Sequence, residues 1–453
     1  MSNPVDPLVA FIEAACVPLD SGHASGTLER AEAILAAHPE VAGADIHAAA
    51  VLGDDAAVRH FLELDAGNAT VKGGPHGWDA LTHLCFSRYL RLDPAPSDGF
   101  VRAAKALLDA GASASTGFFQ SNHQPRPEWE SALYGAAGVA HHPELTRLLL
   151  ERGADPNDGE VTYHAPESDD NRALKILVES GKLSEDSLAT MLLRKADWHD
   201  YEGIKYLLEN GADPNRMTPW SISALHQALG RDNALENIEA MLDHGADATL
   251  ENRRDGKSAV AIAARRGRGD ALELFERRAI AIELHGVELL IAACARNDGA
   301  NVRELAERHP ELVRELREQG GTLLAEFAGT GNTAGVGHLL DLGVNVAALY
   351  KEGDGYFGIA RDSTALHVAA WRACHRTTRF LIERGAPIDA RDGKGRTALA
   401  LAVCACVDSH WVYRRSPESV QALLDAGASV SGVAFPLGYA EVDELLRRHG
   451  AGS

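Results

Sequence analysis

Apolar pairs recur along this chain in one phrase: two apolar residues, two polar ones, then Gly-Ala and a small polar residue. It reads Leu107-Leu108-Asp109-Ala110-Gly111-Ala112-Ser113, and again Leu149-Leu150-Glu151-Arg152-Gly153-Ala154-Asp155-Pro156-Asn157. Further copies run over 207–215, 241–247, 381–389 and 423–429, and degenerate ones end at His38, Asp65, Gly181, Arg278, His309, Gly343 and Gly450. From Gly153 onward, successive anchors lie 28, 30, 34, 33, 31 and 34 residues apart, and two intervals of 42 follow, to Gly385 and Gly427. Such self-similarity is the mark of a repeat array, in which no single unit can bury its own apolar face.

A second phrase lies upstream of the first. Its clearest copies are Ser223-Ala224-Leu225-His226-Gln227-Ala228 and Thr364-Ala365-Leu366-His367-Val368-Ala369-Ala370. Weaker copies are Ser131-Ala132-Leu133-Tyr134-Gly135-Ala136-Ala137, 258–264 and 397–402. The Ser or Thr at the head of each predicts a helix N-cap. Small Ala residues let neighbouring helices approach closely, while the apolar pair of the first phrase predicts a second helix with an apolar stripe. Gly then supplies a left-handed stop, and Asp-Pro-Asn turns the chain toward the next unit.

These phrases resemble the ankyrin-repeat family, whose Thr-Pro-Leu-His-x-Ala signature and 33-residue period they match over almost the whole chain; Ala usually replaces the Pro. The resemblance implies an all-α fold, an ankyrin-repeat solenoid of about 12–13 helix–turn–helix units with short β-hairpin fingers. One solenoid is expected over 1–453, with an N-terminal cap unit at 1–40, repeats at 41–430 and a C-terminal cap unit at 431–453. His226 and His367 hold the signature position, where the family's His usually hydrogen-bonds backbone across the turn.

Insertions break the period. Two, at 114–130 and 351–362, lengthen the connector that in this family forms a finger beside the concave groove; two others, at 87–100 and 407–418, fall between the helices of one unit. A further irregular connector, 158–171, carries Tyr163 and His164. Much of the aromatic content sits on these loops: Phe118, Phe119, Trp129, Tyr163, Tyr356, Phe357, Trp411 and Tyr413. Trp198 and Tyr201 flank His199 and Asp200 in a turn, and Trp220 precedes a signature. Aromatics on exposed loops are typical interface anchors, although each could instead fold back as a plug on the apolar edges.

The candidate binding residues are therefore Tyr356, Phe357, Trp371, His367, Trp220, Trp198, His199, Asp200, Tyr163, His164, Tyr134 and Trp411. Trp371, one turn after His367, is placed to meet Tyr356 or Phe357. Trp198, His199, Asp200, Trp220, Tyr163 and His164 could converge on one pocket, where an Asp beside a His could act as an acid/base pair. Gly353-Asp354-Gly355-Tyr356-Phe357-Gly358 matches GxGxxG, but it lacks the βαβ setting of a dinucleotide site and reads as a flexible finger tip. No HExxH, GxSxG or twin CxxC occurs. No catalytic residue, metal or cofactor is assigned.

Composition adds three constraints. Apolar residues make up 45% and charged ones 24%, as in a folded chain. Acidic residues outnumber basic ones, 65 to 44, a formal charge of −21 that disfavours nucleic acid and suits a basic partner. No signal peptide or membrane-spanning run is evident, and six scattered cysteines suit a reducing cytoplasm. The expectation is a cytoplasmic, monomeric scaffold that binds a protein, basic in character, along its concave groove and finger loops. The alternative is a small-molecule binder for an apolar or aromatic ligand, or an atypical enzyme, with a pocket closed by the insertions.

Overall fold

The computed structural model describes residues 6–93, 95, 97–120 and 127–452. Parts of the insertions at 87–100 and 114–130 thus lie outside the described residues. Two compact units are present, one of residues 1–227 and 239–246, the other of residues 228–238 and 247–453.

Both units are built from short helices in antiparallel pairs, and helix accounts for 56% of the structure. The Gly-Ala phrase has a specific cause. After the helix Pro143–Glu151, Gly153 adopts φ +95°. Its N–H donates to Leu150 O at 3.2 Å, and the Ala154 N–H donates to Leu149 O at 3.0 Å. This is the Schellman closure, which satisfies carbonyls that the helix end would leave orphaned. The same bond joins Ala212 to Leu207, Ala246 to Met241, Ala386 to Leu381 and Ala428 to Leu423. In each copy the acceptor's side chain is fully buried, so one motif both stops the helix and pins it to the core.

First helices begin as their caps require. The Ser258 hydroxyl accepts the Ala261 N–H at 3.2 Å, Thr397 that of Ala400 at 3.2 Å, and Ser131 that of Tyr134 at 3.1 Å. Asp155 and Asp213 accept the N–H of Asn157 and Asn215, each at 2.9 Å, forming the Asx turns that Asp-Pro-Asn predicts.

The fingers are antiparallel hairpins. In the first unit β1 (Gly117–Gln120) pairs with β2 (Glu128–Ser131), placing Phe118 opposite Glu130 and Phe119 opposite Trp129. In the second unit β3 (Leu349–Tyr350) pairs with β4 (Ser363–Thr364). Among the described residues no helix is long and apolar enough to cross a membrane. None of the six cysteines forms a disulfide.

Candidate functional site

In the second unit, the finger that contains Gly353 to Gly358 folds down onto the protein. Asp354 and Ile359 bridge each other, and the Asp354 carboxylate accepts the N–H of Tyr356 at 3.0 Å. That tight turn drives Phe357 inward, where it is only 5% exposed. Its ring lies 4.0 Å from the Arg372 guanidinium and 5.0 Å from that of Arg266. Trp411, 6% exposed, covers Arg372 from another insertion at 4.6 Å. The Trp371 indole N–H donates to Phe357 O at 2.5 Å and fixes the finger's position. Sequence reasoning treated Phe357 and Trp411 as exposed anchors; the structure makes them plugs. Stacking on desolvated guanidinium groups, which a solvated loop cannot offer, is the physical reason.

Beneath these rings lies a buried charge network. Asp232 pairs with Arg266 and, at 2.6 Å, with Arg372; Arg266 also contacts Glu326 and stands 3.9 Å from Asp354. Tyr350 donates to Glu326 at 3.0 Å. Burial pushes the Asp232 carboxyl up, but Arg266 and Arg372 outweigh it and hold the group below the usual range. Glu326 is held above that range by burial, with Asp232 and Asp354 adding repulsion against the attraction of Arg266. Tyr356 remains outside this cluster, 39% exposed, with Arg231 3.9 Å above its ring.

His367 is buried within its own turn. Nδ1 accepts the Thr364 N–H at 3.1 Å and lies 2.8 Å from the Thr364 hydroxyl. Nε2 lies 2.9 Å from Ala390 O and 3.2 Å from Arg396 O, so the proton resides on Nε2. No ring atom is left to meet a ligand.

In the first unit, the structure brings together Tyr163, His164 and Trp220. The Tyr163 and Trp220 ring centres are 5.5 Å apart, and the Arg194 guanidinium lies over the Tyr163 ring at 3.9 Å. Arg194 is itself held by Glu167 and Asp197. His164 sits 3.2 Å from Glu160 and 2.8 Å from Glu167. Burial alone would lower its pKa, but these two carboxylates prevail and raise it to about 9. Tyr134 is buried, 5.1 Å from His164 between ring centres, with its hydroxyl 3.0 Å from Nδ1 of His23. Glu130 on β2 is also buried, and burial, followed by repulsion from Glu160 and Asp158, raises its pKa to about 8.

Asp200 does not act as the acid of a His–Asp pair. Its carboxylate accepts from buried Lys195 at 2.7 Å, from Asn171 at 2.7 Å and from the Gly203 N–H at 3.0 Å. It therefore caps the helix Tyr201–Glu209 and neutralises Lys195. His199 occupies the turn before that helix at φ +54°, and Trp198 is an exposed residue of the same turn.

The residues that sequence reasoning missed are the arginines and their acids. One signal was available. Arg231, Arg266, Arg296 and Arg372 each immediately precede a left-handed turn residue, at Asp232, Gly267, Asn297 and Ala373. They thus share one column of the repeat.

Comparison with known families finds ankyrin repeats in both units. The family described as ankyrin repeats (3 copies) matches residues 191–281, and the family described as ankyrin repeat matches 361–393. These stretches of the chain are ankyrin repeats. The chain is 32% identical over 109 residues to an ankyrin repeat protein of Rickettsia bellii (strain RML369-C), a match covering 23% of this chain and 44% of that one. The chain thus spans less than half the length of that curated relative. Among solved structures it is similar to the human ASB11 ankyrin repeat domain, at 21% identity over 52% of this chain and 98% of that one, with a TM-score of 0.23. It is also similar to the ankyrin repeat domain of Bcl-3, at 18% identity over 51% and 97%, again with a TM-score of 0.23. Ankyrin-repeat domains are generally protein-interaction modules.

Proposed function

We propose that this ankyrin-repeat protein is a binding module that recognises a basic protein partner through the aromatic loops of its first unit. The observation that carries this reading is the Tyr163–Trp220 pair. Trp220 is 39% exposed, yet Tyr163 beside it is ordered by the Arg194 guanidinium and the carboxylates behind it. An exposed aromatic that is already immobilised loses little entropy on binding, which is what an interface anchor needs.

Charge supplies the partner's character. Residues 1–227 contain 33 acidic against 17 basic side chains, whereas 228–453 contain 32 against 27. The acidic excess thus lies mostly in the half of the sequence that carries the aromatic pair, and it would steer a basic surface toward that unit.

The test is affinity capture from native extract with wild-type protein and with the Tyr163→Ala/Trp220→Ala double variant. Capture of a basic partner by wild type, weakened at high salt and lost in a folded double variant, is the expected result. Equal capture by both proteins would overturn the assignment.

A further inference from the structure

The first unit contains a cleft of about 560 Å³, within the usual range for small-ligand sites. Its walls come from the helix Pro7–Ala15, the segment 17–20, Arg30, His76, Arg88 and strand β1. Ala14, Val17 and Phe118 form a buried apolar floor, and Phe119, 66% exposed, stands at the rim. Phe118 is held rigid by stacking on Trp78 at 4.2 Å between ring centres.

The polar lining carries both signs, and some of its buried atoms lack partners. Arg88 donates one terminal N–H to Ala14 O at 2.8 Å, but its buried Nε has no hydrogen-bond partner. Nε2 of His76 is likewise buried and without a partner. Burial holds His76 in its neutral form, against a small opposing pull from Glu13. Folded proteins rarely leave buried donors and acceptors unused, because each unmade bond costs the full desolvation of the group. The same cleft is lined by a second guanidinium, Arg30, and by two carboxylates, Glu13 and Asp20. No ion pair is formed by Arg30, Arg88, Glu13 or Asp20 among the described residues.

We propose that this cleft binds a small zwitterion of the aromatic α-amino-acid class. The carboxylate would pair with the Arg88 guanidinium with Arg30 beside it, the ammonium would face Glu13 and Asp20, and the ring would lie against Phe118 and Phe119. A simple anion would leave the two acids repelled, and a simple cation would leave the two arginines unmet. A purely apolar ligand would bury all of them without partners. The zwitterion answers both signs, and this site is independent of the Tyr163–Trp220 surface.

Isothermal titration calorimetry and thermal shift with L-phenylalanine and L-tryptophan test the proposal, using their N-acetyl and carboxamide derivatives and L-alanine as controls. Saturable binding of the aromatic zwitterions is expected, weakened at least tenfold by removing either charge or the ring. Arg30→Gln, Glu13→Gln and Phe119→Ala lie at the rim and should leave the unliganded melting temperature unchanged while each weakens binding at least tenfold. No heat or shift at millimolar ligand would overturn the proposal. So would equal affinity for the N-acetyl derivative, or undiminished binding in the Arg30→Gln/Glu13→Gln double variant.

Discussion

Replacing Asp232 by Asn isolates the buried charge network of the second unit. Asn keeps the side-chain shape and tolerates the left-handed backbone at this position, φ +54°. Only the charge is removed. Arg372, 4% exposed along its side chain, then loses the only carboxylate it pairs with among the described residues, while Arg266 retains Glu326 and Asp354. Removing one partner of a buried pair costs about 3–5 kcal/mol, and the low end applies because Asn can still accept a hydrogen bond. For a unit of about 200 residues, 3 kcal/mol corresponds to a fall in Tm of roughly 6–12 °C. The pH dependence fixes the sign. Asp232 has a folded pKa below its unfolded value, so its contribution is present above the unfolded carboxylate range and is lost as pH falls through the folded pKa. The Tm gap between wild type and variant should therefore be full at pH 7 and should close toward acid. Calorimetric melts from pH 7 down to pH 3, with Arg372→Met and the double variant completing a cycle, measure both effects. A gap below about 2 °C at pH 7, or single-variant losses that add without coupling, would refute this reasoning.

Two further outcomes follow from the geometry. Glu130→Gln removes a carboxyl whose folded pKa is raised to about 8, a group that destabilises the fold increasingly as pH rises from the unfolded carboxylate range to that value. The variant should therefore be more stable than wild type by about 1–2 kcal/mol above pH 8 and nearly equal to it below pH 4, as read from urea midpoints. His367→Ala removes the bonds to Thr364, Ala390 and Arg396 and opens a cavity, so a loss of about 2–4 kcal/mol is expected in the same assay. A neutral result would mean that the neighbouring turn is held by other contacts.

The repeat was legible because its parts have local causes. Gly153 and Ala154 close a helix through bonds to carbonyls three and five residues back, and Ser258 caps one through an N–H three residues on. Such short-range requirements are written directly in the order of residues. The destinations of Phe357 and Trp411 were not legible. Nothing near either ring in sequence says that it will meet Arg372, because that meeting depends on how far each insertion reaches across the unit. The same holds for Asp200: beside His199 it resembles half of an acid/base pair, but Lys195, one helical turn away, claims it. A column view of the repeats would have found the arginines, since four of them precede the left-handed turn residue.

That column explains why the two units treat their aromatic loops differently. Arg266, Arg296 and Arg372 are each the C-cap residue of a first helix, where a cation complements the negative end of the helix dipole. Their side chains thereby gain an electrostatic reason to remain at the helix end, although Arg266 and Arg372 are desolvated there. Desolvated guanidinium groups in turn make strong platforms for rings, and the finger and the Trp411 loop settle on them. In the first unit the C-cap residues of first helices include Leu52, Phe86, Ala140 and Trp198, none of them cationic. Among the described residues, the guanidinium that lies over an aromatic there is that of Arg194, which comes from within a helix. Trp220 and Phe119 keep exposed faces, at 39% and 66%. In the second unit the arginines of this repeat column thus give the inserted rings of Phe357 and Trp411 a place to settle.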